Sequence, residues 1–234
     1  MIGTIINVIA ILVGGTLGIF FGARLPERLK ATVISGMGLF VTAYGLQMFM
    51  KTENSLIVLG ALIIGALLGE WWRIEDGLQL LGVWLERKFA GGEGDETSRF
   101  VRGFLTASLL FCIGPIAILG AIQDGLAGDY KLLTIKSVLD GFAAVAFSST
   151  LGIGVLFSAL VILVYQGGIS LLAHQLNGIM STSMMNEMTA TGGVLLMGIG
   201  ISSLLEIKKI RVGNFLPALA IAPLIVYILS LLIK

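Results

Sequence analysis

The segment from Val138 to Ala173 runs for 36 residues with no charged side chain after Asp140. As one helix it would extend about 54 Å, against a bilayer hydrocarbon core of about 30 Å. It is too long for one crossing and too apolar to coat a soluble domain. The chain must therefore turn within it, and Gly152-Ile-Gly154 is the natural place. Comparable apolar runs recur along the whole sequence. They predict spans at Thr4–Phe21, Thr32–Phe49, Ser55–Trp72, Gly103–Ile122, Val138–Gly154, Val155–Ala173, Thr189–Leu205 and Asn214–Ile233. The expected fold is all-α: a polytopic membrane helix bundle of about eight transmembrane helices, or seven if the fifth and sixth are one. It would form a single integral membrane domain over residues 1–234.

Composition supports this reading. Only 12% of the 234 residues are charged, half of the roughly 25% typical of soluble domains, and the mean hydropathy is +1.00. A net charge of +1 gives no field that would recruit nucleic acid. With one cysteine, Cys112, and one histidine, His174, there is little material for an intrachain disulfide, a zinc site or a Ser-His-Asp arrangement. No cofactor, no metal site and no enzymatic activity are expected. The opening MIGTIINVIAILVGG has no basic residue ahead of its apolar run and reads as a retained span.

Basic residues test the span count. With eight spans and the N-terminus outside, the inner segments hold Arg24, Arg28, Lys30, Arg73, Arg87, Lys88, Arg99, Arg102, Lys208, Lys209 and Arg211. Only Lys51, Lys131, Lys136 and Lys234 remain outside, which follows the positive-inside bias. Both termini are then external. The one long connection begins IEDGLQLLGVWLERKF, which puts Leu78, Leu81, Leu85 and Phe89 on one helical face with Trp84 beside it. Residues 74–98 thus read as a cytoplasmic interfacial helix followed by the solvated linker AGGEGDETS.

Small residues recur at four-residue spacing, as Gly14, Gly18, Gly22 and as Ala61, Gly65, Gly69. Such stripes let helices approach closely inside one bundle, and they permit a homo-oligomer without requiring one. Two internal echoes compete. SGMGLFVTAYG against TGGVLLMGIG suggests an inverted repeat, whereas Gly14-Gly-Thr-Leu-Gly against Ser148-Ser-Thr-Leu-Gly joins spans of the same direction.

Polar groups within these spans are the candidate site. Asp140 is a carboxylate in a membrane segment, a placement that costs at least ~2.5 kcal/mol and commonly marks a water-filled route or a partner. Lys136 stands one turn before it, so a pair that merely closes the helix end is the alternative. Glu187, Asn186, Thr189 and Thr191 offer hard oxygen ligands at the entrance of the seventh span. Gly192 and Gly193 would unwind that helix and free carbonyls to join them. The alternative is a helix start at which Asn186 or Glu187 caps free N–H groups. Gly114 and Pro115 break the fourth span, which Asp124 ends on the outer side. Gly152 and Gly154 would supply a second hinge. Asn7 and Asn214 are lone amides suited to a solute or a neighbouring helix. Ser148, Ser149 and Thr150 either line a pore or bond the preceding turn. Glu70 is expected to pair with Arg73, and His174 to sit at a loop edge.

The strings FCIGPIAILGAIQDGLAGD, KSVLDGFAAVAFSSTLGIGV, NEMTATGG and IKKIRVGNFLPA resemble the YqgA/YdfK-like family of uncharacterised prokaryotic membrane proteins, the domain of unknown function 554. MIGTIINVIAILVGGTLG and LLGEWWRIEDGLQ are similar to it too, so the resemblance covers essentially the whole chain. It implies a bacterial or archaeal cytoplasmic (inner) membrane protein, with a loose attribution of sodium-channel or pump activity and no catalytic set to carry over. The expected function is a gradient-driven transporter or channel for Na⁺ or H⁺, because no Gly-rich Lys-Ser/Thr phosphate loop is present. The rival expectation is a membrane scaffold or regulator that docks a partner through residues 74–98. The bilayer is the one partner required by either.

Overall fold

A computed structural model describes residues 1–89, 95–173 and 181–232, with the backbone alone at 27, 95, 96 and 115. The expectations for His174 and for residues 90–94 of the linker lie outside the described residues, while the last four residues of that linker, 95–98, are helical and not coil. Ten α-helices follow in order among them: α1 Ile2–Gly22, α2 Glu27–Phe49, α3 Ser55–Trp72, α4 Ile74–Phe89, α5 Asp95–Cys112, α6 Pro115–Ala127, α7 Lys131–Leu151, α8 Ser158–Leu171, α9 Thr182–Ile199 and α10 Ala218–Leu232. Short 3₁₀ turns join α7 to α8 and lead into α10, and a π turn at Gly200–Leu204 extends α9. No strand occurs among the described residues.

Seven helical stretches are long and apolar enough to cross a bilayer: Ile2–Gly22, Arg28–Phe49, Ser55–Trp72, Lys131–Leu151, Ile153–Leu171, Thr182–Leu204 and Val212–Leu232. The eighth expected span is instead a bent pair, Thr97–Cys112 and Ile116–Ala127, inclined by 64°. The bend is local chemistry. Gly114 takes φ +130°, open to glycine, and Pro115 begins α6, where its missing N–H costs no helical bond. Gly152, at φ +82°, ends α7 where the turn was expected.

The helices group into two units, which the chain visits alternately. One comprises residues 1–36, 79–112 and 116–177; the other comprises 37–78, 113–115 and 178–234. In the first, α1 lies along α7. Gly14, Gly18 and Gly22 face the carbonyls of Gly141, Val145 and Ser149, and any Cβ there would collide with that backbone. Only glycine permits the approach, which brings dispersion contact along the full length of both helices. The opposite face of α1 exposes Ile5, Ile9, Leu12, Val13 and Phe20. Its inner face holds Gly3, Thr4 and Asn7. This is inside-out relative to a soluble helix, as lipid solvation demands.

Helix α4 turns Gly82, Leu85 and Glu86 inward, where Leu85 packs with Phe100 and Phe104 of α5. Of the expected apolar face, Leu81 and Phe89 are exposed, as is Trp84 beside it, and Leu85 is buried. Gly82 lets α4 approach Phe104, to within 3.2 Å of where a Cβ would stand.

The second unit repeats the device with other partners. Ala61, Gly65 and Gly69 of α3 face the segment that carries Asn214, Ala218 and Ala222, and a Cβ on Gly65 would come within 2.6 Å of the Ala218 nitrogen. Gly45 of α2 and Gly193 of α9 meet backbone to backbone. Helix α9 therefore stays α-helical through Gly192 and Gly193. The expected unwinding is absent because these glycines serve close packing, and the departure from α geometry falls at Gly200–Leu204 instead.

These contacts separate glycines by role. Gly18→Leu should lower the melting temperature of the detergent-solubilised protein markedly, since overpacking typically costs about 1–3 kcal/mol. Gly36→Ala, a helical position with open space around it, should be neutral or stabilising by up to about 1 kcal/mol. Equal melting of both variants would refute the packing role.

Candidate functional site

Asp140 is the tenth residue of the 21-residue helix α7, so it sits near the middle of a crossing helix and not at its start. Lys136, one turn earlier, ion-pairs with its Oδ2. Asn7 of α1 donates from Nδ2 to the same oxygen at 3.0 Å and to Oε1 of Gln166 on α8 at 3.2 Å. Three helices of the first unit thus meet in one polar cluster, with the Asn7 amide between the Asp140 carboxylate and Gln166. The glycine contact between α1 and α7 makes this possible, because a wider spacing would carry Asn7 out of reach.

The pair is nearly enclosed, with side-chain exposures of 8% for Lys136 and 11% for Asp140. Desolvating two charges costs several kcal/mol each, and their attraction recovers this only with good geometry and further hydrogen bonds. A pair serving merely to close a helix would sit at an end, where a lysine can snorkel to water. The cluster also holds unused capacity: Asn7 Oδ1, Gln166 Nε2, Thr4 Oγ1 and Ser170 Oγ are buried without a hydrogen-bond partner. Both bonds to Asp140 fall on Oδ2, which leaves its second oxygen outside them.

Asp124 of α6 lies in the same unit. Its Oδ2 accepts from the Gly3 nitrogen at 3.0 Å and stands 3.1 Å from the Met1 ammonium, so it caps the start of α1. Its Oδ1 is buried and unbonded.

Glu187 belongs to the second unit, and the surroundings of its carboxylate are quite different. Thr52 Oγ1 donates to it at 2.7 Å, and the Glu53 and Asn54 nitrogens donate at 2.7 and 2.9 Å. It is buried and ligated by the loop that starts α3. The expected ligand group does not converge around it. Thr189 and Thr191 donate to the Met185 and Glu187 carbonyls of their own helix, the common fate of a helical hydroxyl. Asn186 donates outward to Glu53 at 2.8 Å. Together with Ser183 it holds the Glu53 carboxyl below its ordinary value.

Two further expectations change. Glu70 pairs with Arg211 at 2.7 Å and accepts from Asn214 at 2.5 Å, not from Arg73. Arg73 adopts left-handed φ 53° at the end of α3 and turns to Asp76, 3.2 Å away. Asn214 accepts from the Glu75 nitrogen at 2.7 Å, so this amide ties helix ends together. Ser149 and Thr150 bond the preceding turn, while Ser148 Oγ is buried and free. Sequence reasoning missed Gln166 and Glu86. An uncharged amide in VILVYQGG and an acidic residue beside Arg87 and Lys88 look unremarkable until helices α8 and α4 turn them inward.

An all-helical, multi-pass membrane protein with a mid-helix charge pair is the class these observations define. The chain belongs to the family described as Protein of unknown function (DUF554), whose profile matches residues 2–227. It is 33% identical over 233 residues to "Uncharacterized membrane protein YdfK" of Bacillus subtilis (strain 168), covering 98% of this chain and 97% of that protein. It is also 33% identical over 223 residues to "Uncharacterized protein YqgA" of Escherichia coli (strain K12), covering 95% and 94%. No solved structure matches.

Two outcomes follow from the second unit. Glu187→Ala strands one hydroxyl and two N–H donors, at about 1–3 kcal/mol for each buried group left unsatisfied. It should lower the melting temperature of the detergent-solubilised protein steeply. Asn186→Ala should return the Glu53 midpoint toward 4.5, read by isotope-edited NMR. Because the folded midpoint is depressed, this contribution to stability is present above the ordinary value and fades as pH falls through the folded one. Acid sensitivity below that value should therefore diminish in the variant.

Proposed function

We propose that this protein moves a small cation, Na⁺ or H⁺, across a prokaryotic cytoplasmic membrane as a gradient-driven transporter or channel, with both termini external. Asp140 is the group that holds the cation. The carrying observation is the enclosed Lys136–Asp140 pair in the middle of α7, joined by Asn7. Lys136 acts as a tethered substitute for the cation. When the site is empty the ammonium neutralises Asp140; when Na⁺ binds, or a proton adds to the carboxylate, the ammonium is displaced. The site then exchanges one positive charge for another, which avoids the cost of an uncompensated buried carboxylate at either stage. Asn7 Oδ1 and Thr4 Oγ1 are hard oxygen donors on α1, suited to an alkali cation. The bend at Gly114-Pro115 and the break at Gly152 are the places where neighbouring helices can change angle. Nothing in this reading calls for a catalytic step.

Cation flux into proteoliposomes tests it. Asp140→Asn should abolish flux in protein shown to be folded. Lys136→Gln removes the internal competitor, so apparent cation affinity should rise while maximal flux falls. Full flux in Asp140→Asn would remove the proposal.

A further inference from the structure

Glu86 is the least compensated carboxylate described in this chain. It is 1% exposed, and neither of its oxygens has a hydrogen-bond partner. It faces a cavity of about 310 Å³ in the first unit, whose walls include Lys30, Arg99, Ser148, Ser149 and Gly152. That volume has room for about ten waters at roughly 30 Å³ each, and its polar side chains could hydrogen-bond them. An isolated buried carboxylate is untenable in a dry pocket but stable beside water or a cation.

Two features point from this cavity to the charge pair. Ser148 stands eight residues after Asp140 on α7, with Ala144 midway, so all three share one helical face about 12 Å long. All three are buried, and the Ser148 hydroxyl is unbonded. The charged walls also limit what can bind. Arg99 donates from Nε and Nη2 to the Thr150 carbonyl, at 3.0 and 2.7 Å, and so closes the end of α7. Its charge and that of Lys30 outnumber the single charge of Glu86, so a divalent ion is disfavoured more strongly than a hydrated monovalent one, and neither would be held tightly.

We infer that this cavity is the cytoplasmic vestibule of the transport site, and that Glu86 is the group that recruits a hydrated monovalent cation there before it reaches Asp140. The inference rests on the reading of Asp140 given above. It assigns α4 a part in the ion path, beyond lying at the membrane surface.

The test uses the full chain in proteoliposomes, with Cys112→Ser and Ser148→Cys giving one thiol in the cavity. A membrane-impermeant cationic methanethiosulfonate should modify that thiol from one face of the membrane only. Saturating Na⁺ should slow modification about tenfold with Glu86 present, the effect of losing about 1.4 kcal/mol of access, and should not slow it in Glu86→Gln. Ser149→Cys, on the same wall, is the second probe should the first variant not fold. No modification from either face, or equal modification from both, overturns the vestibule. Modification indifferent to Na⁺ overturns the role of Glu86. Flux surviving in Asp140→Asn would sink the underlying transport reading and leave the thiol result standing. A flux-dead Asp140→Asn with a Na⁺-insensitive thiol would reject the vestibule inference alone.

Discussion

The backbone contact between α1 and α7 is the constraint on which the first unit depends. Three glycines at four-residue spacing bring two crossing helices to a separation that no side chain would allow. The energy of that contact is dispersion, since lipid offers no hydrophobic drive for apolar helices to leave it. Its consequence is positional. Asn7 lies on the same helix, seven residues before Gly14, and the approach that buries Gly14 delivers its amide to Asp140 and Gln166. Packing and site are therefore one feature. A sequence with alanine in place of these glycines would still span a membrane, but would leave the carboxylate with Lys136 alone.

Polarity in this bundle is distributed to match. Where a soluble helix buries leucine and exposes polar groups, α1 does the reverse, and the buried polar groups must then find one another. They do so incompletely: several hydroxyls and amide atoms of the first unit are enclosed without partners. In a core built only for stability each such group is a cost of about 1–3 kcal/mol. They are concentrated on α1, α5, α6, α7 and α8, helices of the first unit.

Much of the architecture was legible because bilayer thickness and glycine spacing are read directly from the residues. Seven spans fall where apolar runs predict them, and both glycine stripes pack within the chain. The break at Gly152 follows from a 36-residue run that could not cross once. What was not legible depends on helix rotation and on which helices become neighbours. Glu70 had Arg73 three residues away, yet the left-handed turn at Arg73 sends it elsewhere and Arg211, distant in sequence, takes the place. Glu187 carried a ligand-rich neighbourhood in sequence, but the hydroxyls beside it are spent on their own helix. Glu86 stands beside Arg87 and Lys88 in the sequence, yet it lies buried on the face of α4 that carries Gly82 and Leu85. Periodicity gives the faces of a helix; it does not say which face a neighbour will take.

The two units differ in how they hold acidic groups, and the difference bears on where transport can occur. In the second unit, Glu187 is bound by two backbone N–H groups and a hydroxyl, Glu75 accepts from the Gly213 nitrogen, and Glu70 is held by Asn214 and Arg211. Backbone donors cannot leave without unfolding, so these carboxylates are fasteners for helix ends. In the first unit the partners of Asp140 are a lysine on a flexible stem and an amide, and Asp124 faces the chain's own ammonium. A tethered cation can be exchanged for a free one at little change in net charge, whereas a backbone N–H cannot be exchanged at all. A carboxylate serves as a way station for ions only if its resident partner can step aside. By that criterion the proposed ion path would belong to the first unit, with Asp140 at its centre.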